Sequence, residues 1–163
     1  MKLKTINIVT IPKGITGEKI LGLYSNFSGK RVVVVNIRLP SILLMEQLEK
    51  QDIDISKFLF IDCLGKGKDK SEQIINVQSP AALTGISMSV KNALLLIKPD
   101  IIIFDTVSNF LSYTNDLSVL KFMQDISSVV RNMKFKLIIL IEQKDLDDKL
   151  SSLSMLSDTV VKI

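Results

Sequence analysis

One acidic residue closes one of the most apolar runs in the chain: Ile101-Ile102-Ile103-Phe104 leads directly into Asp105 and Thr106. A carboxylate at the carboxyl end of a buried strand has two uses. It can hold a hydrated divalent cation, with the Thr106 hydroxyl beside it, or it can accept backbone N–H groups and terminate the strand. The first use needs a partner that cradles phosphate, and no segment reads G-x-x-x-x-G-K-[ST]. The nearest approach follows the first apolar run, at Pro12-Lys13-Gly14-Ile15-Thr16-Gly17-Glu18-Lys19. With Gly17 set on the last glycine of that motif, Glu18 stands where the lysine belongs and Lys19 where the cation-binding hydroxyl belongs. A carboxylate facing phosphate oxygens at about 4 Å costs ~1–4 kcal/mol, depending on the local dielectric. A helix N-terminus there can still hold an anion weakly. Gly14, Gly17 and Lys19 therefore read either as a vestigial phosphate site or as ordinary turn-and-cap chemistry.

Other chemistries are narrowed by composition. The chain of 163 residues has no histidine, which removes a Ser-His-Asp triad and a Cys/His zinc site. Its one cysteine, Cys63, has no partner for an internal disulfide and no histidine to activate it, so it reads as a small strand-end residue. Net charge is +4, from 21 basic and 17 acidic residues scattered along the chain, a balance that suits solubility better than a nucleic-acid surface. The basic stretch Gly65 to Lys70 could touch phosphates, but it carries no aromatic residue to stack on bases and reads as a solvated loop. No apolar run approaches the ~18 residues that cross a bilayer. The opening Met1-Lys2-Leu3-Lys4-Thr5 has no long apolar region and no small-residue cleavage site, so a cytoplasmic location is expected.

The elements that must position these residues alternate from end to end. Strands are expected at Ile6 to Ile11, Arg31 to Ile37, Phe58 to Ile61, Ile101 to Asp105, Lys136 to Ile141 and Thr159 to Ile163, with a short one at Ile74 to Val77. Helical spacing recurs between them: Ile20, Leu23 or Tyr24 and Phe27, opened by Thr16 and followed by Gly29; Leu44, Met45 and Leu48 after Pro40; and Leu83, Ile86, Val90, Leu94 and Ile97 after a Ser79-Pro80 start. Asn115 or Asp116 opens the longest helix, with Leu120, Met123, Ile126 or Val130, and Met133 inward. Runs such as Val32 to Val35 are too β-branched for a helix and apolar on both faces. The expectation is a three-layer α/β/α fold on a mostly parallel, doubly wound sheet, in one domain spanning residues 1–163.

The order of elements and the segments "RVVVVNIRLPSILLMEQLEK", "SPAALTGISMSV", "PDIIIFDTVSNFLSYTN" and "LIILIEQKDLDDKLSSLSMLSDTVVKI" resemble the RecA/KaiC-like branch of P-loop ATPases. The likeness is to archaeal KaiC-like proteins that have lost their P-loop, and it covers most of the chain. It implies a RecA/P-loop NTPase-like sheet with Asp105 and Thr106 at the position of the Mg²⁺-ordering aspartate. It also implies a pair of glutamates at the end of the second strand, one of which activates the attacking water. Here that end reads Val35-Asn36-Ile37-Arg38-Leu39-Pro40, without an acid. Glu142 ends a neighbouring strand and reads either as a substitute base or, preferably, as a solvated strand-end residue or a partner for Lys144 or Arg38.

With neither lysine nor base in place, the resemblance implies a pseudo-ATPase with no catalytic residues, no metal and no required cofactor, ATP and Mg²⁺ being conceivable ligands only. The expected role is protein–protein interaction in signalling or regulation, through a protein partner or homo-oligomer. Phe110 and Tyr113 sit where family members pack subunits or bind partners, or else simply pack under the next helix. Two alternatives remain open: a nucleotide-binding switch using Gly14, Gly17, Lys19 and Asp105, and a nucleic-acid accessory protein.

Overall fold

The computed structural model describes residues 2–12, 17–65 and 71–163. Its strands are β1 (Ile6–Ile11), β2 (Val32–Asn36), β3 (Phe58–Asp62), β4 (Ile74–Asn76), β5 (Ile101–Asp105), β6 (Leu137–Glu142) and β7 (Thr159–Lys162). They form one seven-stranded sheet in the order β4-β3-β2-β5-β6-β1-β7. Every pairing is parallel, so the mostly parallel sheet expected from the apolar runs is wholly so. All residues of β1, β2 and β5 are buried, as double-sided apolar strands require when helices cover both faces.

The helices are α1 (Gly17–Ser25), α2 (Ser41–Glu49), α3 (Leu83–Ile97), α4 (Asp116–Met133), α5 (Gln143–Asp147) and α6 (Leu153–Leu156), with a 3₁₀ turn over Val107–Ser112. Alternation along the strands sorts the core into two layers. Val33, Val35, Ile102 and Phe104 pack with Ile86, Val90 and Leu94 of α3 and with Phe122, Ile126 and Val130 of α4. Val32, Val34, Ile101 and Ile103 pack with Ile20 and Tyr24 of α1 and with Leu44 and Leu48 of α2. No helix among the described residues is long and apolar enough to cross a membrane.

Local signals fix two helix ends. Asn115 caps α4, its Oδ1 accepting the Ser118 N–H at 2.9 Å. Gly29, beyond the end of α1, takes φ +70°, and a Cβ there would sit 3.3 Å from Asp54 Oδ2. The expected helix start at Ser79-Pro80 is corrected: α3 begins at Leu83. Ser79 closes a separate turn first, its Oγ accepting the Ala81 N–H at 3.1 Å and its carbonyl the Ala82 N–H at 3.0 Å. The expected Thr16 cap lies outside the described residues.

Candidate functional site at the carboxyl ends of the strands

The register of the central strands sets three polar residues in a row. Asn36 pairs with Asp62 on one side and with Asp105 on the other. All three are fully buried. They stand two residues beyond Val34, Phe60 and Ile103, so alternation turns them toward the layer covered by α1 and α2.

Asp105 is closed off by its neighbours. Arg38 donates from Nε to Oδ1 at 3.0 Å and from Nη2 to Oδ2 at 3.1 Å, a bidentate pair. Tyr24, buried on α1, donates its hydroxyl to Oδ2 at 3.0 Å. The backbone reinforces the arrangement: the Asp105 carbonyl accepts the Ile37 N–H at 2.8 Å and the Arg38 N–H at 3.1 Å. One residue thus holds the exit from β2 through its carbonyl and the Arg38 side chain through its carboxylate. Burial alone would lower the Arg38 pKa, but its hydrogen bonds to Asp105 and the Asp105 charge outweigh that and raise it, so the guanidinium stays charged. Burial, and then the adjacent Asp105 charge, hold the Tyr24 phenol well above its usual value of 10.0.

Asp62 is occupied differently. Its Oδ2 accepts the Ser41 N–H at 2.7 Å, and its Oδ1 accepts the Leu64 and Gly65 N–H groups at 2.7 and 2.8 Å. The acid therefore ties the first residue of α2 to the turn after β3. Among the described residues, the Asn36 amide between the two acids makes no hydrogen bond through Oδ1 or Nδ2, nor does the Ser41 hydroxyl. Cys63 beside Asp62 is buried, and burial followed by the Asp62 charge pushes its thiol up to about 12. Such a thiol is inert at neutral pH.

The other candidate residues scatter. Thr106 is buried and its hydroxyl bonds to Asn109 Oδ1 within the 3₁₀ turn. Gly17, Glu18 and Lys19 are exposed on the first turn of α1. A Cβ at Gly17 would meet nothing within 4 Å among the described residues. Gly14 lies outside the described residues, as does the basic stretch beyond Gly65. Glu142 pairs with Lys144 at 3.1 Å and not with Arg38. Phe110 is fully buried with its ring edge against Phe122, so it presents no surface, whereas Tyr113 is half-exposed. A cleft of about 580 Å³ opens at the opposite end of the sheet, between Phe27, Lys30, Asp100 and Lys136.

A Mg²⁺–nucleotide group fits these residues poorly. Both Asp105 oxygens are engaged by Arg38 and Tyr24, and the Thr106 hydroxyl is engaged by Asn109. A cation at Asp105 would have to displace a guanidinium that already neutralises the carboxylate, and would then lie beside that positive charge.

Tyr24→Phe tests the closure directly. Removing a hydrogen bond to a charged group is expected to cost about 1.5–3 kcal/mol by urea unfolding at neutral pH. Because the native phenol is raised, its contribution is fully present below pH ~10 and is lost as pH rises through the native value. Wild type should therefore lose up to ~1.4 kcal/mol per pH unit more than Tyr24→Phe above pH 10. Parallel alkaline limbs would mean that Tyr24 ionises as freely folded as unfolded.

No protein-family model and no curated protein matches the chain. Solved structures do. A KaiC-like protein from the hyperthermophilic archaeon Pyrococcus horikoshii OT3 superposes with a TM-score of 0.68 at 12% identity, over 97% of this chain and 70% of that one. An uncharacterised protein from Pyrococcus horikoshii, solved in complex with an unknown peptide, superposes with a TM-score of 0.74 at 14% identity, over 99% of this chain and 78% of that one. At such identities the likeness is one of fold: a RecA-type α/β sheet of the KaiC-like kind.

Proposed function

We propose that this RecA/KaiC-like fold does not turn over nucleotide and acts through protein–protein contacts, in signalling or regulation. The observation that carries the proposal is the occupied Asp105 carboxylate, held by Arg38 and Tyr24. Arg38 comes from the end of β2, where the resembled ATPases place the acid that activates water. A cation in place of that base provides no group to accept the proton of an attacking water. Glu142 is no substitute, since it lies at the end of a different strand and pairs with Lys144. One further point favours contacts with other proteins: a neighbour of the same fold was solved with an unknown peptide bound. A cytoplasmic location and a protein partner or second copy belong to the same proposal.

Calorimetric titration with ATP and Mg²⁺ tests it. The expected result is heat no greater than dilution and phosphate release no faster than in buffer. A nucleotide-binding switch predicts the opposite. Nucleotide at a hundredfold its Kd would stabilise the fold by about 2.7 kcal/mol, and Asp105→Ala would abolish that gain. Micromolar affinity or turnover above buffer overturns the non-catalytic reading.

A further inference from the structure

Few large apolar side chains among the described residues are exposed, and three of them are on α3. Met88 is 61% exposed, Leu95 65% and Leu96 78%. Thr84, Met88, Lys91 and Leu95 follow the spacing i, i+4, i+7, i+11, which is a single seam along a helix. This seam is separate from the buried stripe of Ile86, Val90 and Leu94 that faces the sheet. It borders a groove of about 470 Å³ between α3 and α4, with Phe122 and Met88 among its apolar lining.

The charges around the seam have one sign left over. From Pro80 to Pro99 the chain has two lysines, Lys91 and Lys98, and no acidic residue. Across the groove, α4 contributes Lys121 and Asp125. Asp125 is already spent within the fold, since its Oδ2 accepts Lys91 Nζ at 2.9 Å and Ser87 Oγ at 3.1 Å. Lys98 and Lys121 have no acidic partner within 4 Å among the described residues. The exposed apolar side chains Met88 and Leu95 on this seam are thus flanked by positive charge with no acidic partner among the described residues.

That combination selects an occupant. A second copy would bring Lys98 and Lys121 against their own counterparts, on a chain whose net charge is already +4. A helix laying Leu or Met at i, i+3 or i+4, and i+7 into the groove, with Asp and Glu on its flanks, satisfies both the seam and the lysines. Methionine at the centre suits such contacts, because its unbranched side chain adapts to the facing surface. We propose that the α3–α4 face docks an acidic amphipathic helix of a partner protein. The proposal rests on the protein–protein reading above and names its surface.

The test uses two fluorescent peptides of about 18 residues, five helical turns each, with the same leucine stripe. One has glutamate on its flanks and the other has lysine at those positions. Fluorescence anisotropy against the full chain should show the acidic peptide binding at least about tenfold more tightly, with affinity falling as salt rises. Leu95→Glu, at an exposed position, should weaken it by about tenfold or more with an unchanged circular dichroism spectrum. Lys98→Glu/Lys121→Glu should transfer the preference to the basic peptide.

Equal binding of the two peptides overturns the proposal, as does an affinity indifferent to Leu95→Glu. So does a dimer in sedimentation that Leu95→Glu dissolves, which would make the occupant a second copy. Binding to phosphatidylserine vesicles that Leu95→Glu abolishes would make it a lipid surface and overturn the proposal equally. Turnover of ATP by the same sample would strike at the non-catalytic reading and leave the peptide result standing, so the two failures are distinguishable.

Discussion

Arg38→Met is expected to cost the fold about 3–5 kcal/mol, a fall of roughly 6–20 °C in thermal midpoint for a chain of this size. The magnitude follows from what is left behind. Asp105 is fully buried, and Arg38 is its only ion-pair partner among the described residues. Methionine fills much of the space of the arginine stem but leaves the carboxylate with Tyr24 alone as a side-chain donor. A buried charge without its counter-ion is among the few single changes that reach this size. Arg38→Lys should fall in between, because an ammonium keeps the charge but cannot match both oxygens at once.

The same reasoning gives the opposite sign for the whole cluster. In Tyr24→Phe/Arg38→Met/Asp105→Leu no charge or donor of the triad remains to be desolvated, and most of the lost stability should return. Urea unfolding of the variants closes the cycle, and the expected coupling is far from additive. A single Arg38→Met variant within ~0.5 kcal/mol of wild type, the range of an ordinary surface substitution, would show that Arg38 does not neutralise Asp105 in solution.

The strands were legible in the sequence because β-branched runs and double-sided burial leave few alternatives. Val32 to Val35 and Ile101 to Phe104 fall in the central strands that their composition requires. Asp105 was also legible as a strand-end acid, and Arg38 as a cation at a position where the resembled fold carries an acid. Their union was not. It depends on β2 lying beside β5 in a register that pairs Asn36 with Asp105, and composition does not encode the register of strands 69 residues apart in the chain (Asn36 to Asp105). Tyr24 was missed for a related reason. Helical spacing makes it a core residue of α1, and it is one, but its hydroxyl reaches Asp105 across 81 positions of sequence. A buried tyrosine needs a partner for that hydroxyl, and this was the available signal. The Ser79-Pro80 start failed because a capping hydroxyl and a proline serve a tight turn as well as a helix.

Asp62→Ala is expected to destabilise the protein by about as much as Arg38→Met, ~3–5 kcal/mol, although Asp62 has no ion-pair partner among the described residues. Its carboxylate accepts N–H groups from Ser41, Leu64 and Gly65, and so joins β3 to the start of α2. Alanine removes all three acceptor contacts. Ser41 is fully buried, and its N–H would be stranded at a cost of about 1–3 kcal/mol. Leu64 and Gly65 are only half-buried and can turn to water, which keeps the total from being a simple multiple. Asp62→Asn retains one acceptor oxygen and should recover part of the loss, because the bonds it replaces run to backbone amides and not to a cation. Arg38→Met and Asp62→Ala should also differ in where they loosen the fold. Hydrogen exchange is expected to rise at Ser41, Leu64 and Gly65 in Asp62→Ala, and at Ile37 and Arg38 in Arg38→Met. Equal exchange at Ser41 in wild type and Asp62→Ala would overturn the assignment of Asp62 as the clamp on α2.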